Sequence, residues 1–208
     1  MTRIGVIDLG VSNLGSLEAA LKRVGCDTIS FSRGQSNPQV DALILPGVGS
    51  FAEAMTRMRL SGLDQLITSA HLSGIPVLGI CLGMQLLSDR GFEGGETAGL
   101  GLIPGHTVQM KSEESSVRLP HVGWNSVFHR NSHPVFESIP QDADFYFVHG
   151  FHVTAVPKGN VLGTTTHGTE FCSAASRDNV VGVQFHPEKS QVNGLALLKN
   201  FVRWAEAC

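Results

Sequence analysis

Neither sign of charge is in surplus in these 208 residues: 15 Lys and Arg stand against 18 Asp and Glu, a formal net charge of -3. That balance gives no reason to expect nucleic acid or an anionic membrane as a partner. No Cys-x-x-Cys is present, and Cys26, Cys81, Cys172 and Cys208 are scattered. Neither a zinc ribbon nor a disulfide framework is therefore indicated, and a reducing, cytoplasmic setting fits best. No apolar run is long enough to span a bilayer. The sequence starts directly into Arg3-Ile-Gly-Val-Ile-Asp8, without a secretory signal. Internal repeats and low-complexity segments are also lacking. What is present, 42% hydrophobic and 16% charged residues, describes a globular protein with an ample core. A chain of this length fits one domain, 1–208, that buries about 70% of its unfolded surface.

The first half alternates strand and helix. Arg3–Asp8 reads as a strand, and Asn13 as the cap of a helix with Leu14, Leu17, Leu21 and Val24 on one face, ended by Gly25. Asp27–Phe31 and Asp41–Leu45 are further strands, separated by a polar loop over Arg33–Gln39. Helical periodicity runs through Ala52–Arg59 and Leu63–Leu72, and Ile75–Ile80 is a short apolar run suited to a strand buried on both faces. This order predicts an α/β fold with a mostly parallel sheet covered by helices on both faces. The loops after Asp8, Leu45 and Ile80 then share the carboxyl edge, where such sheets do their work. Beyond Gly99 the pattern changes to short β-like runs at Thr107–Lys111, Asp144–Val148, Asn160–Thr166 and Val180–Phe185. These are expected to be β-hairpins added to the same sheet, because no linker divides the halves. A helix over Asn193–Ala207 closes the chain.

Cys81 sits between the buried strand and a helical stretch, Leu82–Asp89, as Gly79-x-Cys81-x-Gly83. That is the strand–turn–helix pattern of a nucleophile elbow, with sulfur where hydrolases often carry serine. Glycines on either side leave room for so sharp a turn, and a helix N-terminus favours a thiolate. Alternatively, Cys81 is a small buried hydrophobe, the commonest fate of a free cysteine.

A thiolate needs a partner that manages protons, and nine histidines are available. His71 falls on a helix surface, His106 and His167 in turns, and His129 and His133 in a polar loop. The pair His149-x-x-His152 has no carboxylate or cysteine nearby, so it signals a metal only weakly, and no metal or other cofactor is expected. His186 differs, because it ends the run Val180–Phe185 and precedes Pro187 and Glu188. If the backbone stays extended, Glu188 lies on the side of His186, accepts its N–H and fixes its tautomer. A surface His-Pro-Glu turn is the plainer alternative. On the same edge, Pro46-Gly-Val-Gly49 lacks the Lys-Ser/Thr of a Walker loop. It is either a tight turn into a helix or a flexible backbone whose N–H, at Val48, faces an oxyanion together with the N–H of Leu82.

Gly-Ile-Cys81-Leu-Gly-Met-Gln85 and Gln-Phe-His186-Pro-Glu188-Lys-Ser190 resemble the class I (triad) glutamine amidotransferases, and the resemblance runs through essentially the whole chain. Leu45–Phe51, Gly99–Gly105, Pro120–Asn125 and Tyr146–Gly150 look like the branch that serves a cyclase in histidine biosynthesis. The resemblance implies Cys81 as nucleophile, His186 as general acid/base and Glu188 as its orienter. It implies L-glutamine as substrate, met by Gln85 and Glu93, by the Gly47–Gly49 backbone, and by the main chain of His149, Gly150 and Phe151. It further implies a heterodimer with a cyclase subunit built as a (β/α)₈ barrel, with Asn13, His121, Trp124, Asn125 and Lys189 near the interface.

Each implied role has a simpler counterpart: a polar helix residue at Gln85, a loop charge at Glu93, a satisfied strand-end His149, a core Trp124, a solvated Lys189. The sequence also departs from the family pattern. Leu9 and Ser12 replace a usual aromatic and a usual glycine, and Gly150-Phe151 stands where a small hydroxyl residue and a tyrosine are common. A paralogous glutaminase feeding a sugar amidotransferase, a non-catalytic regulatory subunit and a stand-alone cysteine hydrolase are the competing readings.

Overall fold

The computed structural model describes residues 1–10, 14–34, 39–111 and 117–208. The expected Asn13 cap, most of the Arg33–Gln39 loop and the Ser12 departure lie outside the described residues.

The first half folds as its periodicity predicts. Strands β1 (Arg3–Ile7), β2 (Asp27–Phe31), β3 (Ala42–Gly47) and β4 (Val77–Cys81) are joined through helices α1 (Leu14–Arg23), α2 (Phe51–Ser61) and α3 (Leu63–Leu72). They are parallel, in the order β2-β1-β3-β4. Side chains alternate across the sheet, and the two faces carry separate clusters. Ala42 and Ile44 pack with Leu17 and Leu21 of α1. Leu43 and Leu45 pack on the other face with Met55, Leu66 and Ile67 of α2 and α3. Because both faces are covered, β3 and β4 are buried along their whole length.

The short helix α4 (Leu82–Leu86) follows β4. The expected helix continued to Asp89, but it stops early because the next segment takes its carbonyls: Leu100 N–H donates to Leu86 O, and Leu102 and Ile103 N–H donate to Leu87 O.

The second half both meets and corrects the hairpin expectation. Strands β8 (His121–His129), β9 (Ala143–His149), β11 (Val161–His167), β12 (Thr169–Arg177) and β13 (Val180–Val183) extend the large sheet to β2-β1-β3-β4-β13-β12-β11-β8-β9. Strand β13 adds parallel to β4, and the outer four pair antiparallel. The run expected over Thr107–Lys111 does not join that sheet. It forms β7 (His106–Gln109), which pairs with β5 (Arg90–Gly91) and β10 (Phe151–Thr154) in a second sheet that also holds β6 (Thr97–Ala98). Backbone bonds from Phe92 N to Thr107 O and from Met110 N to Gly150 O hold it to segments flanking the site.

Three histidine placements differ from expectation, and His133 stays in its loop. His106 opens β7 and His167 ends β11 rather than lying in turns, His129 ends β8, and the His133 ring accepts from Val135 N at the start of a 3₁₀ turn. The chain closes with α5 (Gln191–Ala207), whose Leu197, Leu198, Phe201 and Val202 pack on the α1 face.

Candidate active site

The carboxyl ends of β3 and β4 lie side by side, with Gly47 in register with Cys81. Cys81 makes the turn from β4 into α4 at φ 54° and ψ -109°, a conformation that L-residues rarely adopt. The neighbouring glycines are obligatory. A Cβ on Gly83 would stand 1.8 Å from Leu45 O, and one on Gly79 would stand 2.5 Å from Leu87 Cδ1. The elbow read from Gly79-x-Cys81-x-Gly83 is thus present as strained backbone.

Cys81 lines a cavity of about 380 Å³ with Val48, Gly49, Leu82, Gln85, Glu93, Val148, His149, Gly150 and Phe151. That volume suits a small molecule. Two larger hollows, one over Asp8, Arg33 and Arg57 and one over His129–Glu137, lie away from the cysteine. The structure therefore gathers the expected substrate-facing residues into one space, with Gly47 buried just behind them against Leu82. Gln85 is buried and donates from Nε2 to Phe151 O at 2.9 Å. Glu93 is more than a loop charge, since its Oε2 accepts from Phe51 N at 2.7 Å. It thereby caps α2, whose Ser50 supplies no side-chain cap.

His186 and Glu188 meet, although not as expected. The backbone does not stay extended: Pro187–Lys189 is a 3₁₀ turn, and proline at its first position suits it. Glu188 folds back so that Oε1 accepts the Nδ1–H of His186 at 2.8 Å. Both side chains are about nine-tenths buried or more. His186 Nε2 is buried and makes no ordinary hydrogen bond, yet the Cys81 sulfur is close enough to act on the ring electrically. Burial pulls the imidazole toward neutrality, but the combined pull of Cys81 and Glu188 outweighs it and raises its pKa to about 9. The arrangement holds a proton on the imidazole, opposite a carboxylate and beside a sulfur.

His149 lines the cavity and is buried, with both ring nitrogens engaged by neighbours. Nδ1–H donates to Phe151 O at 2.9 Å, and Nε2 faces His121 Nδ1 at 3.0 Å. Burial, above all, lowers the His149 pKa to about 3 and that of His121 to about 4. His121 is buried against Phe147 and His167 and sits behind Asn125, whose Nδ2 lies 3.2 Å from its Nε2. Trp124 is half exposed, and Lys189 is exposed with its Nζ 5.9 Å from the Tyr146 ring centre. Asn125 is partly buried and donates to Thr166 O. The expected interface position Asn13 lies outside the described residues. Among the described residues no His, Cys, Asp and Glu group is placed to hold a metal ion.

Sequence reasoning missed Val148, which lines the cavity, and Gln184, whose Nε2 lies 3.6 Å from the Cys81 sulfur. The signal for Gln184 was its place two residues before His186.

A strained cysteine elbow on a parallel sheet, facing a small cavity and backed by a buried histidine–carboxylate pair, defines a cysteine-dependent hydrolase or acyl-transfer site. Residues 5–204 match the family described as Glutamine amidotransferase class-I. The chain belongs to that family. It is 44% identical over 202 residues to "Imidazole glycerol phosphate synthase subunit HisH" of Desulfitobacterium hafniense (strain Y51), covering 97% of this chain and 94% of the relative. It is 40% identical to the protein of the same name from Sulfurimonas denitrificans, covering 97% and 98%. Among solved structures, PurLQS from Thermotoga maritima superposes with a TM-score of 0.77 over 98% of both chains at 20% identity, a likeness of fold.

Proposed function

We propose that this chain is the glutaminase subunit of imidazole glycerol phosphate synthase, hydrolysing L-glutamine to glutamate and ammonia for a cyclase subunit in histidine biosynthesis. One observation carries the reading: Cys81 on its strained elbow beside the 2.8 Å His186–Glu188 pair, at the wall of a cavity sized for an amino acid. The likeness to subunits of that name over nearly the whole chain supports the pathway.

Cys81 loses its proton to His186 and attacks the side-chain amide carbon of glutamine. The oxyanion faces the backbone N–H groups of Val48 and Leu82, donors worth roughly 2.7–4 kcal/mol each in hydrolases. His186 passes the proton to the departing nitrogen, the C–N bond breaks, and ammonia leaves a thioester. Water then adds its oxygen to the thioester carbon while His186 takes one of its protons. The C–S electron pair returns to sulfur, and glutamate departs. Glu188 holds the imidazole in one tautomer and balances its charge. Gln85 and Glu93 contact the substrate, and the main chain of His149–Phe151 receives its amino-acid end.

Ammonia released into neutral water is mostly captured as ammonium, which is no nucleophile. The product therefore passes through a water-poor route into a partner, a cyclase with a (β/α)₈ barrel that forms a heterodimer with this chain. Half-exposed Trp124, together with Asn125, Lys189 and the His121 behind them, is assigned to the side that meets that partner. Two core clusters on the two faces of one sheet support reading residues 1–208 as a single glutaminase domain. Among the described residues, no helix is long and apolar enough to cross a membrane, and no disulfide joins the four cysteines, in keeping with the cytoplasm.

Co-purification with the candidate cyclase tests the reading, with glutamine hydrolysis measured with and without the cyclase's nucleotide ligand. A stable pair whose hydrolysis rises with that ligand is expected. Failure to pair, or steady hydrolysis of other amides by the isolated chain, would reject it.

A further inference from the structure

Gln184 is fully buried, and nothing in the mechanism above uses it. Its carboxamide lies between two groups that the reaction does use. Gln85 Nε2 is 3.1 Å from Gln184 Oε1, and Gln184 Nε2 is 3.6 Å from Cys81 Sγ. The neighbours fix which way both amides point. Phe151 O can only accept, so the Gln85 atom 2.9 Å from it must be the NH₂ group. That NH₂ also faces Gln184, which must present its oxygen there. The NH₂ of Gln184 is left on the sulfur.

We propose that Gln184 is a further catalytic residue, whose side-chain N–H donates to the Cys81 sulfur and stabilises it as a thiolate. The inference rests on the thiolate chemistry proposed above. The same bond serves twice: it stabilises charge on sulfur before the attack, and again when the C–S bond of the thioester breaks and its electron pair returns to sulfur. A neutral amide suits the position, because it adds no charge to compete with the His186 proton. Gln85 locks the amide oxygen and so keeps its N–H groups from turning away from sulfur. A plain filler of the core would explain the burial, but not an orientation set by the Gln85 NH₂ donor on one side and sulfur on the other.

The test uses the full chain in a Cys208→Ser background, since Cys208 is exposed and would react with the probe. Iodoacetamide alkylation of Cys81 is followed by peptide mass spectrometry from pH 6 to pH 10. Gln184→Met keeps the length of the side chain without a donor, and Gln184→Leu is a second donorless variant should the first misfold. A hydrogen bond to a charged group is worth enough that alkylation at pH 7 is expected to fall about tenfold. The two rates should converge as the pH rises toward 10. Glutamine turnover in the complex with the cyclase should fall by a similar factor, with little change in KM.

Alkylation equal to the parent at pH 7 overturns the proposal, whatever happens to turnover. So does an equal loss at every pH, which is the mark of altered access. If alkylation behaves as expected while the parent complex hydrolyses no glutamine, the donor stands and the glutaminase reading falls.

Discussion

His121 Nδ1 lies 3.0 Å from His149 Nε2, and the bonds around the pair leave one tautomer for each ring. Phe151 O accepts from His149 Nδ1, so the proton is on Nδ1 and Nε2 must accept. His121 then carries its own proton on Nδ1, and its Nε2 accepts from Asn125 Nδ2 at 3.2 Å. A chain of donors thus runs from β8, on the face assigned to the partner, to the carbonyl that also orients Gln85. A second proton on either ring would set donor against donor.

The first expectation follows from that arrangement. Both rings titrate below the ordinary 6.5, His121 near 4 and His149 near 3, so between those values and 6.5 the unfolded chain binds more protons. Stability should therefore fall as the pH is lowered through that window. His129, His133 and His152, also lowered by burial, add in the same direction. NMR titration of the ring carbons checks the origin: a midpoint near 6.5 for His121 or His149 would refute the neutral chain.

His186 works in the opposite sense. Its pKa is raised to about 9, so it contributes stability that is complete below pH 6.5 and is lost as the pH rises toward 9. Glu188→Gln keeps the shape but removes the charge. The His186 titration should move down, the loss of stability between pH 6.5 and 9 should shrink, and kcat should fall by roughly 10²–10⁴-fold. An unchanged His186 midpoint in this variant would remove Glu188 from the relay.

Gly83 tests the elbow itself. An alanine there meets Leu45 O at 1.8 Å, a contact that only backbone movement relieves. Gly83→Ala should cost about 3 kcal/mol or more. For a chain of this size that is a fall in Tm of roughly 6–12 °C. A Tm within a degree or two of the parent would mean that the turn is not held as described.

Much of this was legible in the sequence, because its strongest signals are local. The apolar run ending at Ile80, with glycines at 79 and 83, specifies a buried strand and a sharp turn without tertiary information. The spacing of His186 and Glu188 gave the right pair by the wrong geometry. Pro187 starts a 3₁₀ turn, and a carboxylate two residues on reaches the ring from a turn as well as from a strand. The destination of β7 was not legible, since a four-residue strand carries no record of which sheet it joins. The surroundings of His121 were not legible either. Its burial depends on Phe147, His149 and His167, which come from other parts of the chain. Gln184 and Gln85 are far apart in sequence, and only the parallel pairing of β13 with β4 brings their amides together.

The most direct measurement is turnover of the complex carrying Cys81→Ala, supplied with either glutamine or an ammonium salt at alkaline pH. Glutamine-dependent turnover should vanish while ammonium-dependent turnover stays at the parental rate, because the variant removes the sulfur and leaves the cyclase untouched. Retention of glutamine-dependent turnover, or loss of both activities in an intact complex, would contradict the account.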